Sequence, residues 1–194
     1  MIVYHGTTLS SAINIYNNGI DLNKSKEYLD FGRGFYTTTD FFIAKNMAIK
    51  VSVQESLRKN IKKVFPAVVT FIYKESHFMN CRKFEYENIE WAKFIIANRV
   101  TSAIAYELRL NNRNEEWNYD IVIGGIADGN IAGIASDLRF GKIKPKDYIL
   151  KLTDFLKDNG SSYGTQITFR TKKSLSCIKC IKYDTIPYEE MRWK

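Results

Sequence analysis

The chain has 194 residues, 45% of them hydrophobic and 26% charged, a composition that supports the core of one globular domain over residues 1–194. Twenty-nine basic against 21 acidic residues leave a net charge of +8 and a pI near 9.3, which favours contact with something acidic without naming it. No run approaches the ~18 apolar residues of a membrane helix, and MIVYHG lacks the basic and apolar regions of a signal peptide, so the expectation is a soluble, cytoplasmic protein without a membrane contact.

In chain order, Met1 to Tyr4 reads as a short strand that turns at His5-Gly6. From Ser10, a helix carries Ala12, Ile13, Ile15 and Tyr16 and stops before Gly19. Gly34 to Thr39 alternates aromatic and hydroxyl residues like a strand, and Asp40 then caps a helix with Ala44, Met47, Ala48 and Val51 on one face. Phe65 to Tyr73, rich in Val, Phe and Ile, is a strand. Trp91, Phe94 and Ile95 form a helical stripe that ends near Asn98-Arg99, where either residue suits a C-terminal cap. Tyr119 to Ile123 is a buried strand, followed by a glycine-rich loop, GGIADGNIAGIASD. A helix around Asp147 to Lys157 and strands at Thr165 to Arg170 and Leu175 to Tyr183 complete an α+β pattern without regular βαβ alternation.

Cys81, Cys177 and Cys180 are too few for a disulfide framework. Cys177 and Cys180 form a C-x-x-C pair but lack a second pair, and the histidines are His5 and His77 alone, so no metal site is expected and the pair reads as small apolar filler. Arg58, Lys59, Lys62 and Lys63 follow one helix, and Arg170, Lys172, Lys173, Lys179 and Lys182 gather near the C-terminus. These runs read either as two solvated faces or as a contact for nucleic acid.

Two motifs carry chemistry. His5, at a strand end and followed by Gly6 and two hydroxyls, is placed to reach a ligand, although a structural histidine has the same appearance. Phe31 to Tyr36, FGRGFY, sets two glycines around Arg33 before a strand; it suits either a backbone passing close to a bulky ligand or a turn into a core strand.

Taken together, YHGTT (4–8), DFGRGFYTTTD (30–40), WAKFIIANR (91–99), YDIVIGGIAD (119–128) and YGTQITFRT (163–171) resemble the ADP-ribosyltransferase superfamily of the His-Tyr-Glu type. The order of these motifs, spanning nearly the whole chain, is similar to that in a bacterial family of uncharacterised ADP-ribosyltransferase-like proteins. The resemblance implies a split β-sandwich of two packed sheets flanked by helices, NAD as cofactor, and transfer of ADP-ribose to a macromolecular acceptor, nucleic acid or protein. A toxin or defence effector with a neutralising antitoxin partner would fit that description.

By the same resemblance, His5 would bond the adenosine ribose and Gly6 the nicotinamide amide, with Thr7 beside them, while Asn98 and Arg99, which match the NR of the related proteins, would face the site or the target. Tyr36 would stack on the nicotinamide, Thr37 or Thr38 would hold its amide or the ribose, and Arg33, Gly34 and Phe35 would complete the cofactor contacts, Arg33 at the pyrophosphate. The glutamate expected late in the chain is Gln166. A carboxylate there would stabilise a developing cation by on the order of 4 kcal/mol at ~4 Å and an effective dielectric of about 20. Glutamine keeps a hydrogen bond but removes no proton from an acceptor. Either the acceptor is already nucleophilic, another acid such as Asp120 or Asp128 assists, or the chain is an inactive NAD-binding regulatory module. RNA 2'-phosphotransfer is a further alternative, with Arg33 as its one placed basic residue.

Overall fold

The computed structural model describes residues 1–60, 63–108, 118–127, 129–158 and 163–187. Lys62 of the first basic run and Asp128 lie outside them. Strands and helices mix without βαβ regularity, so the α+β class holds. The chain divides into two compact units, each assembled from separate segments: 1–21, 36–77 and 172–194 in the first, and 22–35 with 78–171 in the second. Among the described residues, no helix is long and apolar enough to cross a membrane.

In the first unit, β1 (Ile2–Thr8) lies between β2 (Phe35–Thr38) and β3 (Pro66–Tyr73), and β7 (Ile178–Thr185) extends the order to β2-β1-β3-β7, all antiparallel. The expected turn at His5-Gly6 does not occur, because β1 continues through HGTT and pairs with β3 as far as Thr8 opposite Pro66. Helix α1 (Leu9–Asn18) follows at once, with Thr8 Oγ1 accepting from the Ser11 amide. It ends where expected, at Gly19, whose φ of 82° suits a residue without Cβ.

Asp40 caps α2 (Phe41–Lys59) as its sequence position implies, Oδ1 accepting from the amides of Phe42 and Ile43 at 2.7 and 3.2 Å. The buried face of α2 is Ala44, Ala48, Ile49 and Ser52, whereas Met47, expected on it, is 46% exposed. Small residues at i and i+4 let the helix backbone come close to β1. A Cβ on Gly6 would meet the Ala44 carbonyl oxygen at 1.9 Å and the Ala48 amide nitrogen at 2.7 Å. Gly6 is thus required by packing, on the face that also holds Tyr4 and Val68.

In the second unit, β4 (Cys81–Lys83) pairs in parallel with β5 (Ile121–Gly125), and β5 pairs antiparallel with β6 (Thr165–Phe169). Its helices are α3 (Ile89–Arg99), α4 (Ser102–Glu107), α5 (Gly129–Arg139) and α6 (Tyr148–Asp158). The core is aromatic: fully buried Phe31 packs edge-on to Phe94 and stacks on Phe84, at ring separations of 5.9 and 6.2 Å. The expected loop GGIADGNIAGIASD is instead the end of β5 and most of α5. Ile131, Ile134, Ala135 and Leu138 are buried there at helical spacing, and that apolar stripe outweighs the glycines. The last expected strand is displaced along the chain: Lys173–Cys177 forms a 3-10 turn, and β7 runs from Ile178 past the expected end at Tyr183 to Thr185. All three cysteines are free thiols.

Candidate functional site

The residues expected to bind NAD fall into two groups. His5, Gly6, Thr7, Tyr36 and Thr37 belong to the first unit; Arg33, Gly34, Phe35 and Gln166 belong to the second.

In the first unit, β1 and β2 are neighbours with Tyr4 opposite Thr38, and this register brings His5 to Tyr36. His5 Nδ1 donates to the Tyr36 carbonyl at 2.7 Å. A carbonyl oxygen only accepts, so Nδ1 must carry the proton, and the neutral ring then has Nε2 as its acceptor. Burial lowers the imidazole pKa below its usual value, opposed in part by the Tyr36 bond, which keeps the ring neutral near pH 7. Strand alternation puts His5 on the face of β1 opposite Gly6 and α2. Thr7 and Thr37 are buried on their strands, and Tyr36 is half-buried.

This ring makes stability depend on pH. Because the folded pKa is depressed, the unfolded chain takes the proton first as the solution is acidified. The stability is complete above about 6.5 and is lost as pH falls from there through the folded value, at no more than about 1.4 kcal/mol per pH unit. His5→Asn, whose amide mimics Nδ1 as donor, is expected to remove this slope. Urea denaturation of both proteins across the acid range checks it, and parallel curves would contradict it.

In the second unit, the FGRGF segment serves the protein's own packing. Gly34 lies so close to β6 that a Cβ would meet Thr168 Cγ2 at 2.5 Å and the Phe169 carbonyl oxygen at 2.9 Å. Ser25 Oγ brackets it, accepting from the Gly34 amide at 2.8 Å and donating to its carbonyl at 3.0 Å. Phe35 is buried. Arg33 forms an ion pair with Glu27 at 2.8 Å, both side chains more than half exposed, an arrangement that contributes little to stability.

Gln166 is 6% exposed in β6, opposite Gly124 of β5. Its Nε2 donates to Asp30 Oδ2 at 3.2 Å and to the Gly125 carbonyl at 3.1 Å. Arg99 Nε donates to the other oxygen of Asp30, and Trp91 Nε1 donates to the same Gly125 carbonyl at 3.2 Å. Asp30 is therefore the acid beside Gln166, and it was absent from the residues expected from sequence. Asp120, expected as a possible assistant, is occupied in joining segments: its oxygens accept from the Asn80 amide at 3.0 Å and the Thr171 hydroxyl at 2.6 Å. Nor do Asn98 and Arg99 cap α3, whose C-cap is Val100. Asn98 is buried and donates to the Phe94 carbonyl, and Arg99 belongs to the Asp30 network.

Next to Gly125 the second unit has a cleft of about 390 Å³, with Gly124, Gly125 and Thr165 among its walls and Glu85, Tyr86 and Glu87 beside them. None of the residues expected to contact NAD lines it, although Gly124, Gly125 and Thr165 belong to the YDIVIGGIAD and YGTQITFRT motifs. Residues 1–180 match the sequence model of a family described as "Protein of unknown function (DUF3990)". No curated protein matches the chain, and no solved structure does.

Proposed function

The chain belongs to the DUF3990 family, and we propose that it binds NAD and transfers ADP-ribose to a macromolecule, in a domain of the ADP-ribosyltransferase-like fold. The observation that supports this reading best is the neutral, oriented His5, its Nδ1 proton held by the Tyr36 carbonyl so that Nε2 has the acceptor character a ribose hydroxyl needs. NAD supplies a glycosidic bond whose leaving group, nicotinamide, is already cationic, so no general acid is required.

The residues fit such a ligand by their donor and acceptor character. His5 accepts a hydroxyl proton, Tyr36 offers a half-buried aromatic face for stacking, and Gln166 offers a carbonyl oxygen in place of a carboxylate. Gln166 holds no charge and moves no proton. Asp30 already accepts from Arg99 and Gln166, so it serves as partner to those groups and not as a base. The acceptor this set favours is therefore nucleophilic by itself: a nucleobase nitrogen, a phosphate or a carboxylate. The net charge of +8 favours nucleic acid among macromolecules. An effector of the toxin kind, with a neutralising partner, is the role we propose for it.

Incubation of the purified chain with labelled NAD and cell lysate is expected to release nicotinamide and label a macromolecule. His5→Ala and Tyr36→Ala should each lower the rate by about tenfold or more, the loss of one good contact. Labelling that persists unchanged in both variants refutes the reading. Tight NAD binding without nicotinamide release would identify a regulatory module instead, a second reading favoured by the missing carboxylate at 166.

A further inference from the structure

We infer that Asp30 is a positioning residue that fixes the amide of Gln166 with its nitrogen inward and its oxygen, Oε1, presented as an acceptor for a ligand hydroxyl. The identity of that ligand rests on the NAD reading; the orientation does not.

Both groups next to Nε2, the Asp30 carboxylate and the Gly125 carbonyl, can only accept. The two amide hydrogens serve them one each. A flipped amide would set Oε1 against two oxygens at 3.2 and 3.1 Å with no hydrogen bond to either, so the usual ambiguity of a glutamine side chain does not arise. The two acceptors are themselves held: Asp30 by Arg99, and Gly125 by Trp91. Oε1 accepts from no described residue, and the residue is 6% exposed.

Asp30 also explains why an amide stands at 166. A glutamate there would bring a second carboxylate to within about the present 3.2 Å of Asp30, a like-charge contact in a nearly buried place. Asp30→Asn changes the logic: the single oxygen of the new side chain serves Arg99, its amide nitrogen faces residue 166, and Gln166 is driven to turn. With glutamate at 166, the amide that Asp30→Asn introduces becomes a matched donor. The pair is thus reciprocal, and one partner's chemistry dictates the other's.

The test uses the whole chain in four forms: wild type, Asp30→Asn, Gln166→Glu, and Asp30→Asn with Gln166→Glu. Proton exchange of the Gln166 side-chain amide, followed by NMR without ligand, should be slow in the wild type and at least about tenfold faster in Asp30→Asn. The wild type should prefer NAD over an analogue lacking the 2'-hydroxyl of the nicotinamide ribose by about tenfold, one hydrogen bond's worth, and Asp30→Asn should bring that ratio toward unity. Gln166→Glu should bind NAD more weakly than the double variant, which regains affinity. Equal amide exchange in wild type and Asp30→Asn overturns the proposal, as does a double variant no better than Gln166→Glu alone in a wild type that binds NAD. If the wild type binds no NAD but its amide is protected and that of Asp30→Asn is not, the NAD reading falls and the positioning by Asp30 stands.

Discussion

Gly6→Ala is expected to destabilise the protein by roughly 3 kcal/mol or more, enough to prevent folding of a marginally stable domain. The added methyl would lie 1.9 Å from the Ala44 carbonyl oxygen and 2.7 Å from the Ala48 amide nitrogen, both backbone atoms of α2. No side-chain rotation relieves such a contact. β1 cannot withdraw, because it is bonded to β3 along its length and neighbours β2. The helix could move only by opening its contact with β1 and β3, which contains Ala44, Ala48 and Val68. Gly133→Ala is the control: it lies within α5 with open space around its Cβ position, so the substitution should stabilise by about 0.5–1 kcal/mol. Chemical denaturation of both variants separates a steric requirement from a general sensitivity to glycine replacement. A Gly6→Ala protein as stable as wild type would contradict the close approach of β1 to α2.

Trp91→Ala is the second large loss, at about 3–5 kcal/mol. The side chain is 2% exposed on α3, and its indole nitrogen bonds the Gly125 carbonyl, so truncation opens a cavity and removes a buried hydrogen bond together. Trp91→Phe keeps much of the volume and gives up the indole donor, and the expected loss falls to about 1–2 kcal/mol. The difference between the two, read from urea midpoints, divides packing from hydrogen bonding. Because Gln166 shares the Gly125 carbonyl, it still supplies one donor in both variants. A Trp91→Phe loss as large as that of Trp91→Ala would overturn this division.

What could be seen in the sequence was whatever rests on neighbours a few residues apart. The Asp40 cap of α2, the Gly19 end of α1 and the apolar stripe of α3 follow from contacts within a turn or two, and each stands where its residues imply. The helix α5 had a comparable signal in Ile131, Ile134, Ala135 and Leu138, and the glycines around it drew the segment toward a loop. Strand β4 had none: Cys81, Arg82 and Lys83 are all exposed, and only parallel pairing with β5, some forty residues on, makes them a strand.

The candidate site divides in the same way. His5 and Tyr36 attract notice as motif residues, but the bond between them depends on the β1–β2 register. Asp30 opens DFGRGFY without any mark of its role, which arises only when β6 brings Gln166 to it across 136 residues of chain. The glycines show the opposite error. In the sequence they suit a ligand's approach, whereas Gly6 and Gly34 admit the protein's own helix and strand. The two units escape a linear reading altogether, since each is composed of segments interrupted by the other.

That interleaving bears on how the chain is made. β3 leaves the ribosome with β1 already available on one side, while its other partner, β7, is about a hundred residues further along. At a synthesis rate of roughly 5–20 residues per second, the β7 side of β3 waits on the order of 5–20 s for its hydrogen-bond partners. Throughout that interval the nascent chain presents an apolar, unpaired strand edge, PAVVTFIY, whose starting proline and single exposed Ile72 do little to blunt it. Survival of the newborn protein therefore depends on β7 arriving before another chain, or a chaperone, takes that edge.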